Sequence, residues 1–281
     1  MVDHCSNSGT KPILSTGKFS MKLNYAFAAV LAGTFFGACN LASAETLADI
    51  EAHKSINIGV QTDYPPYGYV NAEMKPQGSD IATAELIASK LGVKLNLVTL
   101  TSPSRIPALQ SGKVDLVIAA MGKNPEREKV VDFTISYAPF YSGIYAAKSL
   151  TIKSFADLSG KTLAVTRGSI QDNALDKVAP QGATVRRFDD DTSTVAAFVT
   201  GQTQALATSA SVAGVTMTKN PQLNAEYKIL LTDIPCFIGV AKGNTALLDK
   251  VNVILRAAKA DGTLNSISEK YLGRPLGNLP E

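Results

Sequence analysis

The sequence predicts an α/β protein of two lobes joined by two crossover strands, and two observations lead to this fold. Short β-branched runs alternate with helical patterns along residues 45–281, and such alternation is typical of layered α/β folds with largely parallel sheets. Residues 142–147 and 233–241 lead out of one strand–helix series and back into it. A chain that leaves one α/β unit, builds a second and returns forms two lobes with a ligand cleft between them.

The domain boundaries follow from these crossovers. We assign residues 1–44 to an upstream extension and signal peptide, residues 45–144 with 239–281 to lobe 1, and residues 145–238 to lobe 2. The formal net charge of the 281 residues is only +3, and 45% of them are hydrophobic. This balance is that of an ordinary globular protein, and it argues against a nucleic-acid partner and against disorder.

Nine strands and four helices are predicted from the spacing of apolar residues. The strands are 56–60, 94–99, 114–119, 143–147, 162–166, 184–188, 204–208, 228–231 and 237–241. The helices are 79–91, 103–111, 245–259 and 262–272. In the first helix, Ser79 or Asp80 is the expected N-terminal cap, and Gly92 lies where a C-terminal glycine belongs.

The first 44 residues have the pattern of a secretory signal. Lys22 precedes an apolar stretch over residues 25–38, and Ala42-Ser43-Ala44 carries small residues at its outer positions. The apolar stretch is shorter than the roughly 20 residues that span a bilayer. We therefore expect export and cleavage after Ala44. A retained anchor helix and lipid attachment at Cys39 are the less favoured alternatives.

The few cysteine and histidine residues limit the chemistry available to the chain. Removal of residues 1–44 would leave Cys236 without a second cysteine to pair with, and its apolar neighbours favour a core position. His53 is the one histidine beyond residue 44 and lies near the mature N-terminus. The sequence therefore predicts no catalytic residue, no metal site and no cofactor.

Arg127 is the first candidate for a ligand-binding residue. Residues 109–127 have the pattern of a helix, a tight turn, a buried strand and a polar loop that ends in this arginine. The position just beyond the carboxyl end of a strand is where α/β proteins bind ligands, and a guanidinium holds a carboxylate through two parallel hydrogen bonds. A surface arginine paired with Glu126 or Glu128 is the alternative that this spacing leaves open.

An ordered set of short motifs extends over essentially the whole chain beyond residue 44. The motifs are Asp63-Tyr64-Pro65-Pro66-Tyr67, Gly112-Lys113-Val114-Asp115, Asn124-Pro125-Glu126-Arg127, Asp132-Phe133, Asp157-Leu158-Ser159-Gly160-Lys161, Arg167-Gly168-Ser169, Asp261-Gly262-Thr263-Leu264 and Lys270-Tyr271-Leu272-Gly273. With them the sequence resembles the periplasmic solute-binding proteins for polar amino acids, family 3, that serve ABC importers.

The resemblance implies a periplasmic-binding-protein-like fold of type II and a non-enzymatic function. It implies a monomer in the periplasm that captures a polar or acidic amino acid between its lobes and delivers it to an ABC permease in the inner membrane. Residues 142–147 and 233–240 would be the hinges of lobe closure. A cyclohexadienyl or arogenate dehydratase-like enzyme shares this fold and is the alternative, although no clear general acid matches its pocket.

The resemblance also assigns roles to individual residues. Arg127 becomes the clamp for the ligand's α-carboxylate, and Tyr64 packs against the ligand side chain, unless it is merely part of a rigid Pro-rich turn. The other matched positions are a side-chain reader at Gln61, main-chain hydrogen-bonding groups at Ala120 and Gly122, and a helix N-terminus at Ser169, Ile170 and Gln171.

Ser209 departs from the family pattern. It occupies the position of an aspartate that accepts the ligand's α-ammonium, so a neutral hydroxyl replaces a charge. Either another acid substitutes, with Asp63 and the run Asp189-Asp190-Asp191 as candidates, or the ligand is not a simple α-amino acid.

Arg105 is a second candidate cation. Ser104-Arg105-Ile106-Pro107 resembles the Asn-Arg-Ile-Pro motif of family members that bind acidic amino acids, where the arginine contacts the side-chain carboxylate. An unpaired buried arginine is costly, so a second cation favours a ligand with extra negative charge. A polar or acidic amino acid is therefore expected, with a dicarboxylate as the alternative ligand and a solvated Arg105 as the alternative structure.

Overall fold

The computed structural model describes residues 45–280, so the predicted signal peptide and its cleavage site lie outside the described residues. The strands are β1 (Ser55–Val60), β2 (Asp63–Tyr64), β3 (Gly68–Val70), β4 (Pro76–Gln77), β5 (Lys94–Thr99), β6 (Leu116–Met121), β7 (Val131–Ala138), β8 (Tyr141–Ala147), β9 (Thr162–Thr166), β10 (Thr184–Phe188), β11 (Ala205–Ser209), β12 (Ala225–Asp233) and β13 (Cys236–Ala241). The α-helices are α1 (Leu47–His53), α2 (Ser79–Leu91), α3 (Arg105–Gln110), α4 (Pro125–Glu128), α5 (Ile170–Val178), α6 (Asp191–Val199), α7 (Ala210–Lys219), α8 (Thr245–Ala260) and α9 (Thr263–Leu272).

Two five-stranded sheets, each packed against helices, form two lobes. The first lobe is the sheet β5-β1-β6-β13-β7 with α2, α3, α8 and α9, and the second lobe is the sheet β10-β9-β11-β8-β12 with α5, α6 and α7. A small sheet, β2-β3-β4, lies in the chain between β1 and α2. This architecture confirms the predicted two-lobed α/β fold.

Two short passages connect the lobes. The chain leaves the first sheet after Ala138 at the end of β7 and enters the second sheet at Tyr141 in β8. It returns between Asp233, which ends β12, and Cys236, which begins β13. The passages lie a few residues before the predicted lobe boundaries at 144/145 and 238/239, which remain predictions.

The two five-stranded sheets are mixed, so the prediction of largely parallel sheets is wrong for half of their strand pairings. In the first sheet β1 pairs in parallel with β5 and β6, whereas β13 is antiparallel to β6 and β7. In the second sheet β9 is parallel to β10 and β11, whereas β8 is antiparallel to β11 and β12. The antiparallel strands β8 and β13 enter their sheets directly from the other lobe, without the crossover helix that a parallel connection requires.

The centre of the first sheet is fully apolar. Every residue of β6 is buried, as expected for a strand covered on both faces. Cys236 is also buried, at the start of β13, which confirms its predicted core position. The carboxyl end of β6 extends to Met121, two residues beyond the predicted strand, and this end leads into the cleft between the lobes.

Helix α2 has the predicted bounds but a different N-terminal cap. Gly92 ends it in a left-handed conformation with φ of 69°, as expected. Gly78 is the N-cap, and no side chain caps the helix. The predicted cap by Ser79 or Asp80 is therefore wrong. Asp80 is fully buried, and its carboxylate accepts hydrogen bonds from the Ala120 N–H at 2.8 Å and from the Tyr137 hydroxyl at 2.7 Å.

No helix among residues 45–280 is long and apolar enough to cross a membrane.

Candidate functional site

A small cavity lies between the two lobes and is enclosed by residues of both. It leaves about 10 Å³ for solvent, which is the room of about one water molecule. Its lining residues are Gln61, Tyr64, Ser102, Arg105, Ala120, Phe140, Ser169, Ile170, Gln171 and Asp191. Seven of these residues were predicted to contact a ligand, and Asp191 was one of the candidate acids.

A larger cleft of about 420 Å³ adjoins this cavity and shares Ser102 and Arg105 with it. Its other lining residues are Pro103, Ile106, Met121, Asn124, Glu126, Arg127, Val130, Gly168, Asn173, Asp176 and Lys177. The two predicted cations therefore differ in position, because Arg105 lines both spaces and Arg127 lines the larger cleft. Gly122 and Ser209 line neither space.

Arg127 is buried between the lobes. It lies in α4, whose N-cap Asn124 accepts a hydrogen bond from the Arg127 main-chain N–H at 2.9 Å. The guanidinium donates to the carbonyl oxygen of Gly122 at 2.5 Å and to that of Gly168 at 2.8 Å. The residue is only 6% exposed. Burial, followed by the positive charge of Arg105, lowers the pKa of Arg127 to about 9.

Arg105 is held by three main-chain carbonyl oxygens. Its guanidinium donates to Ser102 at 3.0 Å, to Ala119 at 2.8 Å and to Gly168 at 3.3 Å. The residue is 3% exposed, so the alternative of a solvated arginine does not apply. Burial lowers the pKa of Arg105, and the carboxylate of Asp191 opposes this shift.

Neither arginine forms an ion pair with a carboxylate among residues 45–280. In particular, Arg127 does not pair with Glu126 or Glu128, the partners expected of a surface arginine. Both guanidiniums instead converge on the carbonyl oxygen of Gly168. Two buried guanidinium groups therefore donate hydrogen bonds to the same uncharged carbonyl oxygen in the cleft.

Asp191 brings a carboxylate to the same place from the second lobe. It is 5% exposed and accepts hydrogen bonds from the Gln61 side-chain amide at 2.7 Å and from the Thr166 hydroxyl at 2.5 Å. The Asp191 main-chain N–H donates to the Asp63 carboxylate at 2.9 Å. Burial, followed by the nearby Asp63 charge, raises the pKa of Asp191 to about 7.

Tyr64 joins the lobes through its hydroxyl oxygen. That oxygen accepts hydrogen bonds from the Gln171 side-chain amide at 3.2 Å and from the Ser209 main-chain N–H at 3.3 Å. Burial raises the pKa of Tyr64 to about 12, so the hydroxyl stays neutral at physiological pH. The Ser209 hydroxyl accepts from the Val212 N–H at 3.2 Å and caps α7.

The main-chain groups of Ala120 and Gly122 that were predicted to face a ligand make hydrogen bonds within the protein. The Ala120 N–H donates to Asp80, and the Gly122 carbonyl accepts from Arg127. Ser169 begins α5 as its N-cap, and its hydroxyl accepts from the Asp172 N–H at 3.1 Å. Ala120 has a positive φ of 45°, which is unusual for a residue with a side chain.

Sequence reasoning missed two cavity residues, Ser102 and Phe140. Ser102 starts the short 3₁₀ turn before α3, and its hydroxyl accepts from the Gln61 amide at 3.4 Å. Its proximity to Arg105 in the sequence was a usable signal. Phe140 lies in the passage between the lobes, and no local pattern in the sequence marks it as a lining residue.

Comparison with known proteins identifies the family. The model of the bacterial extracellular solute-binding proteins, family 3, matches residues 56–274. This range includes both five-stranded sheets, except the first residue of β1, and the helices α2 to α9. The chain belongs to family 3 of these proteins. The cleft between the lobes is accordingly our candidate solute-binding site.

Relatives and solved structures agree with this assignment. The chain is 32% identical to ABC transporter arginine-binding protein 1 of Escherichia coli strain K12, with 87% of this chain and 96% of the relative covered. It is 33% identical to the ABC transporter glutamine-binding protein GlnH of Bacillus subtilis strain 168, with 81% and 85% covered. The structure of the L-cysteine solute receptor of Neisseria gonorrhoeae superposes with a TM-score of 0.77 at 35% identity, with 83% and 96% covered. These family 3 relatives are binding proteins and not enzymes.

Proposed function

We propose that this chain is the extracytoplasmic solute-binding protein of an ABC importer and that it captures a polar amino acid, with an acidic one favoured. The observation that carries the proposal is the pair of buried guanidiniums, Arg105 and Arg127, that have no carboxylate partner among the described residues. Burial disfavours both positive charges, and the Asp191 carboxylate offsets this only at Arg105 and without an ion pair. A ligand carboxylate that accepts hydrogen bonds from these guanidiniums would stabilise them.

An amino acid is the ligand class that the relatives favour. The names of those relatives refer to arginine, glutamine and cysteine, which differ in side chain and share the α-carboxylate. A single arginine can bind that shared group through two parallel hydrogen bonds. Arg127 is our candidate for this role.

The second guanidinium favours an acidic side chain. Arg105 lines both the small cavity and the larger cleft, so it can contact a ligand in either space. One α-carboxylate balances one of the two positive charges, and a side-chain carboxylate would balance the other. L-Glutamate and L-aspartate are therefore the favoured ligands.

Binding in the small cavity requires the lobes to separate. The small cavity has the volume of about one water molecule, and direct hydrogen bonds such as Gln61–Asp191 and Gln171–Tyr64 link its walls. We infer an equilibrium between this closed arrangement and an open one. Its hinges would be the passages at residues 139–140 and 234–235, because the predicted hinge at 142–147 lies inside β8, whereas the one predicted at 233–240 includes the second passage. A ligand that contacts both lobes would shift the equilibrium toward closure.

The location and partner of the protein are part of the proposal. We propose export by a signal peptide cleaved after Ala44, a periplasmic location, a monomeric state and delivery of the ligand to an ABC permease of the inner membrane. Chemical detection of a mature N-terminus at Glu45 would support the cleavage site, and a lipid-modified Cys39 would contradict it.

Isothermal titration calorimetry on the exported protein tests the ligand. The panel is L-glutamate, L-aspartate, L-glutamine, L-arginine, L-cystine and succinate, and prephenate and arogenate are assayed for turnover. We expect tightest binding of an acidic amino acid and no turnover. Preference for L-arginine would contradict the acidic specificity, preference for succinate would indicate a dicarboxylate, and product from prephenate or arogenate would indicate a dehydratase.

A variant of Arg105 separates acidic from neutral ligands. Arg105→Met keeps most of the side-chain volume and removes the charge, so we expect a loss of affinity that is larger for L-glutamate than for L-glutamine. Arg167→Met is the matched control, because Arg167 is half exposed and pairs with Asp189 at 2.9 Å outside both spaces. Equal losses for both ligands would contradict the role of Arg105.

A further inference from the structure

We propose that Asp191 binds the ligand's α-ammonium group. In the family pattern this role belongs to an aspartate at the position that Ser209 occupies in this chain. The proposal rests on the proposed function, since it assumes an amino-acid ligand. It concerns a residue of another element, because Asp191 begins α6 whereas Ser209 ends β11.

Ser209 cannot supply the missing charge. It is fully buried, and its hydroxyl is used as the N-cap of α7 through the hydrogen bond from the Val212 N–H. Its main-chain N–H donates to Tyr64. A neutral hydroxyl with these partners gives an ammonium ion no counter-charge, so the site needs a carboxylate from elsewhere.

Three of the four candidate acids point to other partners. Asp189 pairs with Arg167 at 2.9 Å, and its side chain is 81% exposed. Asp190 caps α6 by accepting from the Ser193 N–H at 2.6 Å. Asp63 accepts from the Asp191 N–H and does not line the small cavity. Asp191 is the one acid of this group that lines the cavity together with Arg105.

The hydrogen-bond partners of the Asp191 carboxylate are neutral, and the positive charge of Arg105 acts on it without a hydrogen bond or ion pair between them. The Gln61 amide and the Thr166 hydroxyl each donate to one of its oxygens, and no ion pair of Asp191 occurs in residues 45–280. Each carboxylate oxygen has further acceptor capacity. A cationic N–H donor in the cavity would thus gain a buried, pre-oriented counter-ion.

The three charged side chains complement an acidic amino acid. Two guanidiniums, Arg105 and Arg127, match two carboxylates, and the single carboxylate of Asp191 matches one ammonium. A dicarboxylate without an amino group would satisfy the arginines but would leave Asp191 facing added negative charge. Asp191 therefore determines the choice between an amino acid and its deaminated analogue.

Paired ligands test this role. L-Glutamate and glutarate differ by the α-ammonium, as do L-aspartate and succinate. In the wild-type protein we expect each amino acid to bind at least about 30-fold more tightly than its partner, the size expected for a buried charge pair. Equal affinities within both pairs would overturn the proposal, and this measurement needs no variant.

Variants then assign the effect to Asp191. We expect Asp191→Asn to lose most of the preference for L-glutamate while its affinity for glutarate is kept or increased, because the variant no longer places a negative charge near the dicarboxylate. Asp189→Asn, two residues away and exposed, should keep the wild-type preference. We expect the double variant Asp191→Asn with Ser209→Asp to regain part of the preference for L-glutamate, because it restores a carboxylate. An aspartate also caps a helix well, so α7 should keep its N-cap. Loss of both ligands by the same factor, or no loss of either, would overturn the proposal.

Different results would contradict the proposed function and the role of Asp191. A wild-type protein that binds no amino acid of the panel would contradict the proposed function itself. A wild-type protein that binds L-glutamate, with an Asp191→Asn variant that binds it equally well, would leave that function intact and reject the role of Asp191.

Discussion

The guanidinium of Arg127 donates a hydrogen bond across the cleft to the carbonyl oxygen of Gly168, at 2.8 Å. Arg127 belongs to the first lobe and Gly168 to the turn after β9 in the second, so this contact joins the lobes. A carbonyl oxygen carries only a partial negative charge, whereas a carboxylate carries a full one and forms stronger hydrogen bonds with arginine. A ligand carboxylate is therefore expected to compete with Gly168 for the guanidinium.

Gly168→Ala tests this turn. Gly168 has a φ of 67°, and a Cβ there would lie 3.3 Å from the Cα of Pro103 in the first lobe. The left-handed backbone should lower the free energy of unfolding by about 1 kcal/mol, and the contact with Pro103 should weaken closure and lower ligand affinity severalfold. Thermal unfolding and calorimetry measure the two effects.

Gly160→Ala is the matched control for this substitution. Its φ is 70°, and an added Cβ meets nothing within 4 Å. We expect the same loss of stability as in Gly168→Ala with unchanged ligand affinity. If both variants bound ligand as the wild type does, the turn at Gly168 would have no part in closure.

Arg127→Ala should abolish most ligand binding and leave the fold intact. The guanidinium bonds to main-chain carbonyls and to no buried carboxylate, so its removal leaves no buried counter-charge. We expect a loss of at least about 2 kcal/mol of binding free energy, with an unchanged circular dichroism spectrum. Arg186→Ala, at an exposed arginine that donates to Gln202, is the control. Unchanged calorimetric binding by folded Arg127→Ala would exclude Arg127 from the site.

Local sequence patterns were sufficient to predict the strands of the two large sheets except β7, and the helices α2, α3, α8 and α9. They did not predict α5, α6 and α7, which pack on the second sheet. The bounds of α2 follow from apolar residues at helical spacing and from Gly92, both of which are read within a few residues. The two-lobed fold was predicted from the order of strands and helices, which also follows from local patterns. β7 was missed although Val131–Ala138 alternates apolar and polar residues, a signal that could have identified it. The strands β2, β3 and β4 have two or three residues each, too few for any periodicity.

The site could be predicted only in part, because burial and pairing are properties of the folded chain. The sequence identified Arg105 and Arg127 as cations, but it left open whether each was solvated or paired. It named four acids as possible substitutes at the position of Ser209. The distinction among them depends on which side chain points between the lobes, and that is set by the start of α6 packing against β9.

Tyr64→Phe separates two roles of this residue. The ring is retained, so any packing against a ligand is retained as well. The acceptor for the Gln171 amide and the Ser209 N–H is lost, and each buried donor that stays without a partner costs about 1–3 kcal/mol. We expect roughly a tenfold loss of affinity for L-glutamate by calorimetry. Tyr227→Phe, at a residue 47% exposed, should have no effect. Wild-type affinity in Tyr64→Phe would mean that the aromatic ring of Tyr64 contributes to binding and its hydroxyl does not.

The affinity for an amino acid should fall as the pH drops below 7. Burial and the Asp63 charge raise the pKa of Asp191 to about 7, against the opposing effects of Thr166 and Arg105. Below that pH the Asp191 carboxyl of the protein without ligand is protonated, whereas the ligand's ammonium group binds the ionised carboxylate. Binding must then release a proton, so affinity should decrease by up to about tenfold per pH unit below 7 and level off above it.

Calorimetry from pH 5.5 to pH 8.5 measures this dependence, with L-glutamate as the ligand. Arg127, with its pKa lowered to about 9, stays mostly charged over that range. Asp191→Asn should remove the dependence. Asp115→Asn is the control and should keep the pH dependence. Burial raises the pKa of Asp115 to about 6, but its carboxylate accepts a hydrogen bond from the Asn57 N–H and lines neither the cavity nor the cleft. An affinity that is constant with pH in the wild type would show that no group of the site titrates in this range. A dependence that persists in Asp191→Asn would show that a group other than residue 191 titrates, because a neutral amide cannot.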